Sequence, residues 1–311
     1  MKKPVILLAC LATIFSARAE DKLDIKLSYK PGNTYHQEMK MVQTSAVPGQ
    51  GDMEMEMKIG MSTSVKSLEG GNKLLTVKYE SMTMNSKLGE KEVMAFDSAE
   101  ETHAAGTESL AKIIKAEIKI TTDSKDKPTK VEGLEAFGDD PVSAQMFNQD
   151  SMKEMISQSM LMGIPGKSVA KGDTWDFNKT IPNPIMSITI KGKYTYDSDT
   201  ESEGHKVAVL KLDGTLAAGA APEEEEKDNA KDEDPKAAQM KEMMKKMGME
   251  ITEGEMKGYT TYDSEIQFMR KTDVTTEFTM KMKNPQTGDG IELPVSQHTT
   301  LTLKKIDSTG K

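Results

Sequence analysis

Cysteine, aromatic residues and long apolar runs are all scarce in this chain. Its 311 residues contain one cysteine, Cys10, and the aromatic content is 5%. If Cys10 belongs to a leader that is removed, the mature protein has no disulfide and no thiol nucleophile, so its fold depends on packing alone. No apolar run reaches the length of about 20 residues that a membrane-spanning helix needs. We therefore expect no transmembrane segment in the mature chain.

Catalytic motifs are also missing. The sequence has no G-x-S-x-G elbow, no H-E-x-x-H, no P-loop and no G-x-G-x-x-G before a helix. Asp97 and Asp263 are interpreted as caps of the turns that follow them. The four histidines are isolated from one another in the sequence, which favours ordinary surface or strand positions: His36, His103, His205 and His298. We predict a non-enzymatic protein without a cofactor.

The first nineteen residues have the pattern of a secretory signal peptide. Two lysines precede an apolar run that ends at Phe15, and Ala17 and Ala19 form an A-x-A cleavage pattern. Cleavage would leave Glu20 as the first mature residue. The sequence thus predicts an exported protein, either periplasmic or extracellular.

A lipid anchor at Cys10 is the alternative. The run Leu7-Leu8-Ala9-Cys10 loosely resembles a lipobox, in which the cysteine is acylated and becomes the first mature residue. The apolar stretch before it is shorter than the roughly 7–15 residues expected of a leader. Secretion without an anchor is therefore favoured.

The charge balance is acidic. The whole chain has a formal net charge of −9, and removing the leader lowers the basic count from 41 to 38 against 50 acids, giving about −12. Nucleic-acid binding needs a basic face, and docking on anionic lipid needs basic clusters. Neither partner is expected.

Alternation of apolar and polar residues with period two dominates the sequence. The clearest strand, Met53–Val65, has the pattern of a half-buried antiparallel strand. Gly70–Asn72 predicts a hairpin turn, and a change of phase near Glu80 predicts a β-bulge. The same reasoning predicts a first strand at Leu23–Tyr29 and a turn at Asp213-Gly214.

Three short helical segments and one acidic loop interrupt the strands. Helical spacing is found at Leu110–Ile114, in a connector over 139–166, and at Met240–Met247. Glu223–Asp234 holds eight acids and two lysines among twelve residues. Such a block repels itself and buries nothing, which predicts a disordered loop.

A weak internal duplication suggests the domain organisation. Gly32-Asn33-Thr34-Tyr35 matches Gly172-Asp173-Thr174-Trp175, and Phe96-Asp97-Ser98 matches Tyr262-Asp263-Ser264 in the same order. We predict a mainly β (β-rich α+β) fold of two related antiparallel curved-sheet halves with short amphipathic helices packed on them. The predicted divisions are a signal peptide at 1–19, an N-terminal half at 20–138, a helical connector at 139–166 and a C-terminal half at 167–311, with the acidic loop and the Met helix inserted at 218–249.

These motifs also carry a family resemblance. Their order resembles a family of exported bacterial proteins known as domain of unknown function 6263, on the following residues: Leu27-Ser28-Tyr29-Lys30, Gly32–Tyr35, Phe96–Ser98, Val131-Glu132-Gly133, Gly172–Trp175 and Tyr262–Ser264. The resemblance covers most of the mature chain. It implies an exported, β-rich protein and brings no activity or catalytic residue with it.

Methionine is unusually frequent, with 25 residues. Thioethers are soft ligands that select Cu(I), and two clusters could supply them: Met53, Met55 and Met57 on one strand face, and Met240, Met243, Met244 and Met247 on one helix face. Methionine is also an adaptable core residue, and Ile59 and Val65 continue the strand stripe. The core interpretation is the simpler one.

The Met240–Met247 helix has a further interpretation as a lid over the sheet. We predict an exported, non-enzymatic envelope protein that binds an apolar small molecule or lipid between curved sheet and helices. Copper binding by the methionine clusters, and a structural or protein-interaction module without ligand, are the alternatives.

Overall fold

The structure is mostly β. The computed structural model describes residues 22–101, 107–134, 156, 163–181, 186–220, 250–252, 254–283 and 289–308. Within these ranges there is one α-helix, α1 (Glu108–Ile114), and there are thirteen strands: β1 (Asn33–Val47), β2 (Gly51–Ser67), β3 (Lys73–Leu88), β4 (Lys91–Asp97), β5 (Glu117–Thr122), β6 (Pro128–Glu132), β7 (Thr174–Ile181), β8 (Met186–Ser202), β9 (His205–Ala220), β10 (Glu250–Ile251), β11 (Gly254–Asp263), β12 (Phe268–Lys283) and β13 (Gly290–Ser308).

All thirteen strands belong to one curved, open antiparallel sheet. Its order is β6-β5-β3-β2-β1-β13-β12-β11-β9-β8-β7, with β4 on β3 and β10 on β12. The first and last strands meet at the centre, in a register that runs from Asn33 opposite Ser308 to Ser45 opposite Val295. The predicted β-rich, curved antiparallel fold is confirmed. The proposed kinship of its two halves stays a prediction.

Several local predictions are confirmed by the register. Gly60 lies opposite Ser81 and Met61 opposite Tyr79, so Glu80 is the extra residue of a β-bulge. A turn of 3₁₀ helix at Glu69–Gly71 joins β2 to β3, and Gly70 and Gly71 adopt φ values of +69° and +79° there. Glycine allows this left-handed backbone at little steric cost.

The side chains of alternate strand positions form a core on the inner face of the sheet. One cluster, on the β7–β11 side, contains Trp175, Tyr194, Leu210 and Tyr262. A second, towards β1–β6, contains Tyr35, Leu75 and Phe268 among others. In the second cluster Tyr35 stacks on Phe268 with their ring centroids 4.7 Å apart. Large aromatic side chains thus fill much of the core despite their low number.

The predicted first strand at Leu23–Tyr29 is wrong. This N-terminal segment, residues 22–30, has no regular secondary structure and joins no ladder, and a single bridge links Leu23 to Val169. Its alternation arises because one side faces the core: Ile25 packs in the first cluster and Tyr29 in the second. The segment therefore crosses from one cluster to the other.

Two buried tyrosine hydroxyls replace the missing ladder. The Tyr262 hydroxyl accepts a hydrogen bond from the Lys26 N–H (3.2 Å) and donates one to the Lys26 carbonyl (2.9 Å). The Tyr35 hydroxyl accepts from the Lys30 N–H (2.9 Å) and donates to the Ser28 carbonyl (3.3 Å). Buried backbone groups need such partners, so the two tyrosines hold the segment in place.

The predicted turn at Asp213-Gly214 is also wrong, because β9 continues through it to Ala220. Gly214 lies opposite Gly192 of β8, and Gly192 lies opposite Phe177 of β7. A Cβ on Gly192 would lie 2.6 Å from the Asp213 carbonyl oxygen and 2.8 Å from the Phe177 ring. The glycine pair therefore makes room for an aromatic ring that covers it.

The described residues contain no helix that is long and apolar enough to span a membrane. The predicted signal peptide, Cys10, the acidic loop Glu223–Asp234 and the Met240–Met247 helix lie outside the described residues, as does the 139–166 connector apart from Ile156 and 163–166.

We expect Tyr262→Phe to destabilise the fold by about 1–2 kcal/mol, because both Lys26 backbone groups lose a buried partner. Urea unfolding followed by the fluorescence of Trp175, the single tryptophan, measures this. Tyr259→Phe is the matched control, since the Tyr259 hydroxyl accepts from the Lys271 amine on the outer face. An equal loss in both variants would show that the segment does not depend on the buried hydroxyl.

We expect Gly192→Ala to lower the free energy of unfolding by about 1–3 kcal/mol, as overpacked cores do. Gly290→Ala serves as control, because no atom lies within 4 Å of the added Cβ. Thermal unfolding of the two variants compares them. If Gly192→Ala unfolds at the same temperature as the native protein, the close approach of Phe177 is not a constraint.

Candidate functional site

The inner face of the sheet is lined with methionine at one end. This methionine face lies where β1, β3 and β12 end and β2 and β13 begin, and Lys91, opposite Leu88 at the start of β4, is the charged residue at its inward positions in the described strands. We define it by Met39, Met41, Met53, Met55, Met57, Met84, Met94, Met280 and Met282.

Burial distinguishes this end from the other. The inward side chains Tyr35, Val65 and Leu75, at the opposite end of their strands, are at most 5% exposed. The residues of the methionine face are half-buried, and Met94 is 40% exposed. Methionine thus predominates where the inner face is incompletely covered, although Met82 and Met256 are buried core residues.

Strand register brings several methionines side by side. Met41 lies opposite Met57, Met57 lies opposite Met84, and Met84 lies opposite Phe96 of β4. Neighbouring strands are about 4.8 Å apart. Three thioethers from three strands therefore form one row across the sheet.

Helix α1 covers part of this surface. Leu110, Ile113 and Ile114 pack on a small cluster centred on Ile59, Met82 and Phe96, to which Met57 and Met84 also belong. The predicted helix at Leu110–Ile114 is therefore confirmed, and so is its packing on the sheet. Met41, Met53 and Met55 lie outside that cluster.

The structure describes one of the two predicted methionine clusters. Met53, Met55 and Met57 do share the inner face of β2, as their alternation predicts. Their proposed helical counterparts, which are also the residues of the proposed lid, lie outside the described residues: Met240, Met243, Met244 and Met247. The same holds for the cleavage site at Ala17, Ala19 and Glu20.

Met41 and Met84 are the neighbours that sequence reasoning missed. Alternation assigns each of them to an inner face. Which positions of two strands lie opposite each other depends on the hairpin turns and on the bulge at Glu80, and a shift of one residue would move every partner.

A groove of about 1030 Å³ lies on the outer face over β7, β8, β9 and β11. Four lysines line it: Lys191, Lys193, Lys211 and Lys257. Carboxylates balance them, since Asp176 and Asp213 line the same groove, Lys211 pairs with Asp197 at 2.6 Å, and Lys257 pairs with Glu255. Charges of both signs mark this groove as an ordinary solvated sheet face.

The histidines do not come together in the described structure. His298 lies beside Asp273, His36 beside Glu80 and Asp307, and His205 near Asp263; His103 lies outside the described residues. The described residues contain no group of three His, Cys, Asp or Glu side chains able to hold a metal.

Asp273 is the carboxylate that His298 contacts. Its Oδ1 is 2.8 Å from His298 Nε2, and its Oδ2 is 2.7 Å from Lys271 Nζ. Burial raises the pKa of Asp273, but the hydrogen bonds from Lys271 and His298 outweigh it, so the pKa lies below its ordinary value. The cluster lies on the outer sheet face, away from the methionine face.

Asp97 and Asp263 cap the turns that follow them, as predicted. Asp97 Oδ1 accepts from the Ala99 N–H (2.8 Å), and Asp263 Oδ1 accepts from the Glu265 N–H (2.9 Å). Asp263 is fully buried, and its Oδ2 accepts from Arg270 Nε at 2.7 Å. Burial raises the pKa of Asp263, yet Arg270 and the turn N–H groups bring it below its ordinary value.

Comparison with known proteins does not identify a relative. No family model and no curated protein matches the chain. Among solved structures, lipovitellin is 8% identical with a TM-score of 0.47, over 91% of this chain and 26% of its own. This chain thus spans about a quarter of the lipovitellin chain.

Two further structures match most of both chains. A candidate lipoprotein from Parabacteroides distasonis is 6% identical with a TM-score of 0.27, over 91% of this chain and 99% of its own. DynF, from the dynemicin biosynthesis pathway of Micromonospora chersina, is 10% identical with a TM-score of 0.23, over 97% and 92%. Scores this low carry no argument about function.

We expect Asp263→Asn to destabilise the fold by about 3 kcal/mol at pH 7, because Arg270 loses the buried carboxylate with which it pairs. The folded-state pKa of Asp263 is depressed, so its stabilisation is complete above the unfolded value near 3.9 and is lost as pH falls through the folded value. The difference between native protein and variant should therefore shrink below about pH 4.

Urea unfolding at several pH values between 7 and 3 measures this. Asp307→Asn is the control, because its half-exposed carboxylate also has a lowered pKa, owing first to the hydrogen bond from Lys305, but exposed ion pairs stabilise little. A difference for Asp263→Asn that stays constant with pH would contradict the assignment.

Proposed function

We propose that this protein is an exported envelope protein that binds an apolar, lipid-like ligand on its methionine face. The observation that carries the proposal is the incomplete burial of a continuous, uncharged row of thioether side chains on the inner face of an open curved sheet. Apolar patches of this kind mark binding surfaces in soluble proteins.

The chemistry of methionine suits such a surface. The side chain is unbranched and polarisable, so it adapts to apolar partners of varied shape. The half-buried inward positions of β2 carry Met53, Met55, Met57 and Met61, whereas its buried positions carry the branched residues Ile59 and Val65. Adaptable side chains thus lie where a ligand can reach them.

The two faces of the sheet differ sharply in charge. In the first part of β2 the inward positions 53, 55 and 57 are methionines, while the outward positions next to them carry Glu54, Glu56 and Lys58. An acyl chain that binds over these methionines leaves water, and no charged side chain among them has to lose its hydration. Each methylene group buried in this way contributes about 0.8 kcal/mol.

Export is inferred from the leader. Its charged start, apolar run and A-x-A site support export to the periplasm or outside the cell, with an anchor at Cys10 as the alternative. Carriers of apolar molecules are useful in an aqueous compartment between or outside membranes, because such molecules do not cross it alone.

A structural or protein-interaction module is the second candidate. Among the described strands, β6 and β7 are the two ends of the strand order, so each is an edge strand of the described sheet. Edge strands can accept a strand from another protein. This function needs no ligand on the methionine face.

We expect Met55→Lys to weaken binding of a fluorescent fatty acid about tenfold or more, because an ammonium group placed in the acyl site loses hydration. Val42→Lys is the matched control: Val42 is 41% exposed on the outer face of the neighbouring strand. Fluorescence titration of both variants and the native protein gives the dissociation constants.

Native mass spectrometry of protein purified from its own envelope fraction complements the titration. A bound mass in the lipid range, reduced in Met55→Lys and retained in Val42→Lys, supports the carrier function. An apo mass together with no saturable fatty-acid binding would refute it and leave the interaction module. Equal weakening in both variants would place binding elsewhere.

A further inference from the structure

We propose that Met41, Met57 and Met84 form a binding site for a single Cu(I) ion. This inference concerns a metal rather than a lipid and does not depend on the proposed function. It rests on the strand register, on the chemistry of thioethers and on the partial exposure of the three side chains.

The register makes the three residues a compact set. Each is the direct cross-strand partner of the next, about 4.8 Å away along the hydrogen-bonding direction. Methionines two apart on one strand are about 6.8 Å apart, and Met53 and Met57 about twice that. A row across strands therefore suits one ion better than the stripe along β2.

The row is bounded on both sides. Met41 lies opposite Thr299 of β13, and Met84 lies opposite Phe96. The neighbouring row contains Met39, Ile59 and Met82, where Ile59 separates the two sulfur atoms. Within the described strands, the Met41–Met57–Met84 row is the place where three thioethers follow one another without interruption.

Thioether chemistry selects the ion. Neutral, soft sulfur ligands favour Cu(I), whereas Ca²⁺, Mg²⁺ and Mn²⁺ require oxygen ligands. The inward positions beside the row carry no carboxylate, imidazole or thiol. A monovalent soft cation is therefore the metal that these ligands can retain.

An ion can reach the three methionines, and neighbouring side chains restrict their movement. All three methionines are half-buried, so an ion can reach them from solvent. Met57 and Met84 pack in the same cluster as Phe96 and helix α1, which limits the freedom of their side chains. Met41 lies beside that cluster on the adjacent strand.

The test titrates Cu(I) into the protein under anaerobic conditions, against a chromophoric Cu(I) chelator that reports competition. The test variant is Met41→Leu/Met57→Leu/Met84→Leu, because Leu keeps volume and apolarity and costs little stability. The matched control is Met53→Leu/Met280→Leu/Met282→Leu, which removes three thioethers from the same face but outside the row. Trp175 fluorescence confirms that both variants fold.

We expect one Cu(I) per native molecule, with X-ray absorption showing sulfur neighbours, and at least about tenfold weaker binding in the row variant. The control should bind like the native protein. Absence of binding to the native protein, or equal losses in both variants, would overturn the proposal. Fatty-acid binding by the native protein is measured in parallel, so that failure of the copper site and failure of the proposed function are distinguished.

Discussion

An open sheet of this size must keep water from the apolar inner face of its strands. The other features of the structure depend on how this face is covered with few aromatic residues. One end of the inner face is closed by tyrosine and phenylalanine rings and by the N-terminal segment that crosses them. The segment joins no ladder, and the hydroxyls of Tyr35 and Tyr262 bond backbone groups of Ser28, Lys30 and Lys26 instead. These two tyrosines thus pack in the core with their rings and bond the segment with their hydroxyls.

The other end of the same face is treated differently. Helix α1 covers the part nearest Ile59 and Phe96, and methionine lines what remains half-exposed. The lipid and copper proposals both arise from this contrast, and they use different properties of the side chain: its flexibility for an acyl chain and its sulfur atom for a soft ion. Replacement of methionine by leucine removes the sulfur atom and keeps an apolar side chain.

Strands in which apolar and polar residues alternate regularly can be predicted from the sequence, because alternate side chains point to the buried inner face. The strand predicted at Met53–Val65 lies within β2, and the bulge at Glu80 shows as a change of phase. The segment at Leu23–Tyr29 alternates too, since burial on one side produces the pattern whether or not a ladder forms. The local sequence at Asp213-Gly214 is typical of a turn. In the structure Gly214 and its partner Gly192 leave room for the Phe177 ring, and this requirement of tertiary packing is not visible in the local sequence. The Met41–Met57–Met84 row depends on register, which no single strand encodes.

The pairing of the first strand with the last also has a consequence for the order in which the sheet folds during synthesis. Ser308 Oγ and Asn33 Oδ1 are 3.0 Å apart although 275 positions separate them in the chain. A polypeptide that emerges from the ribosome amino end first exposes one side of β1 until nearly all of it has been synthesised. Contacts of such long range slow folding, and the waiting edge is open to wrong partners. The central seam of the sheet is therefore the last part that an emerging chain can complete.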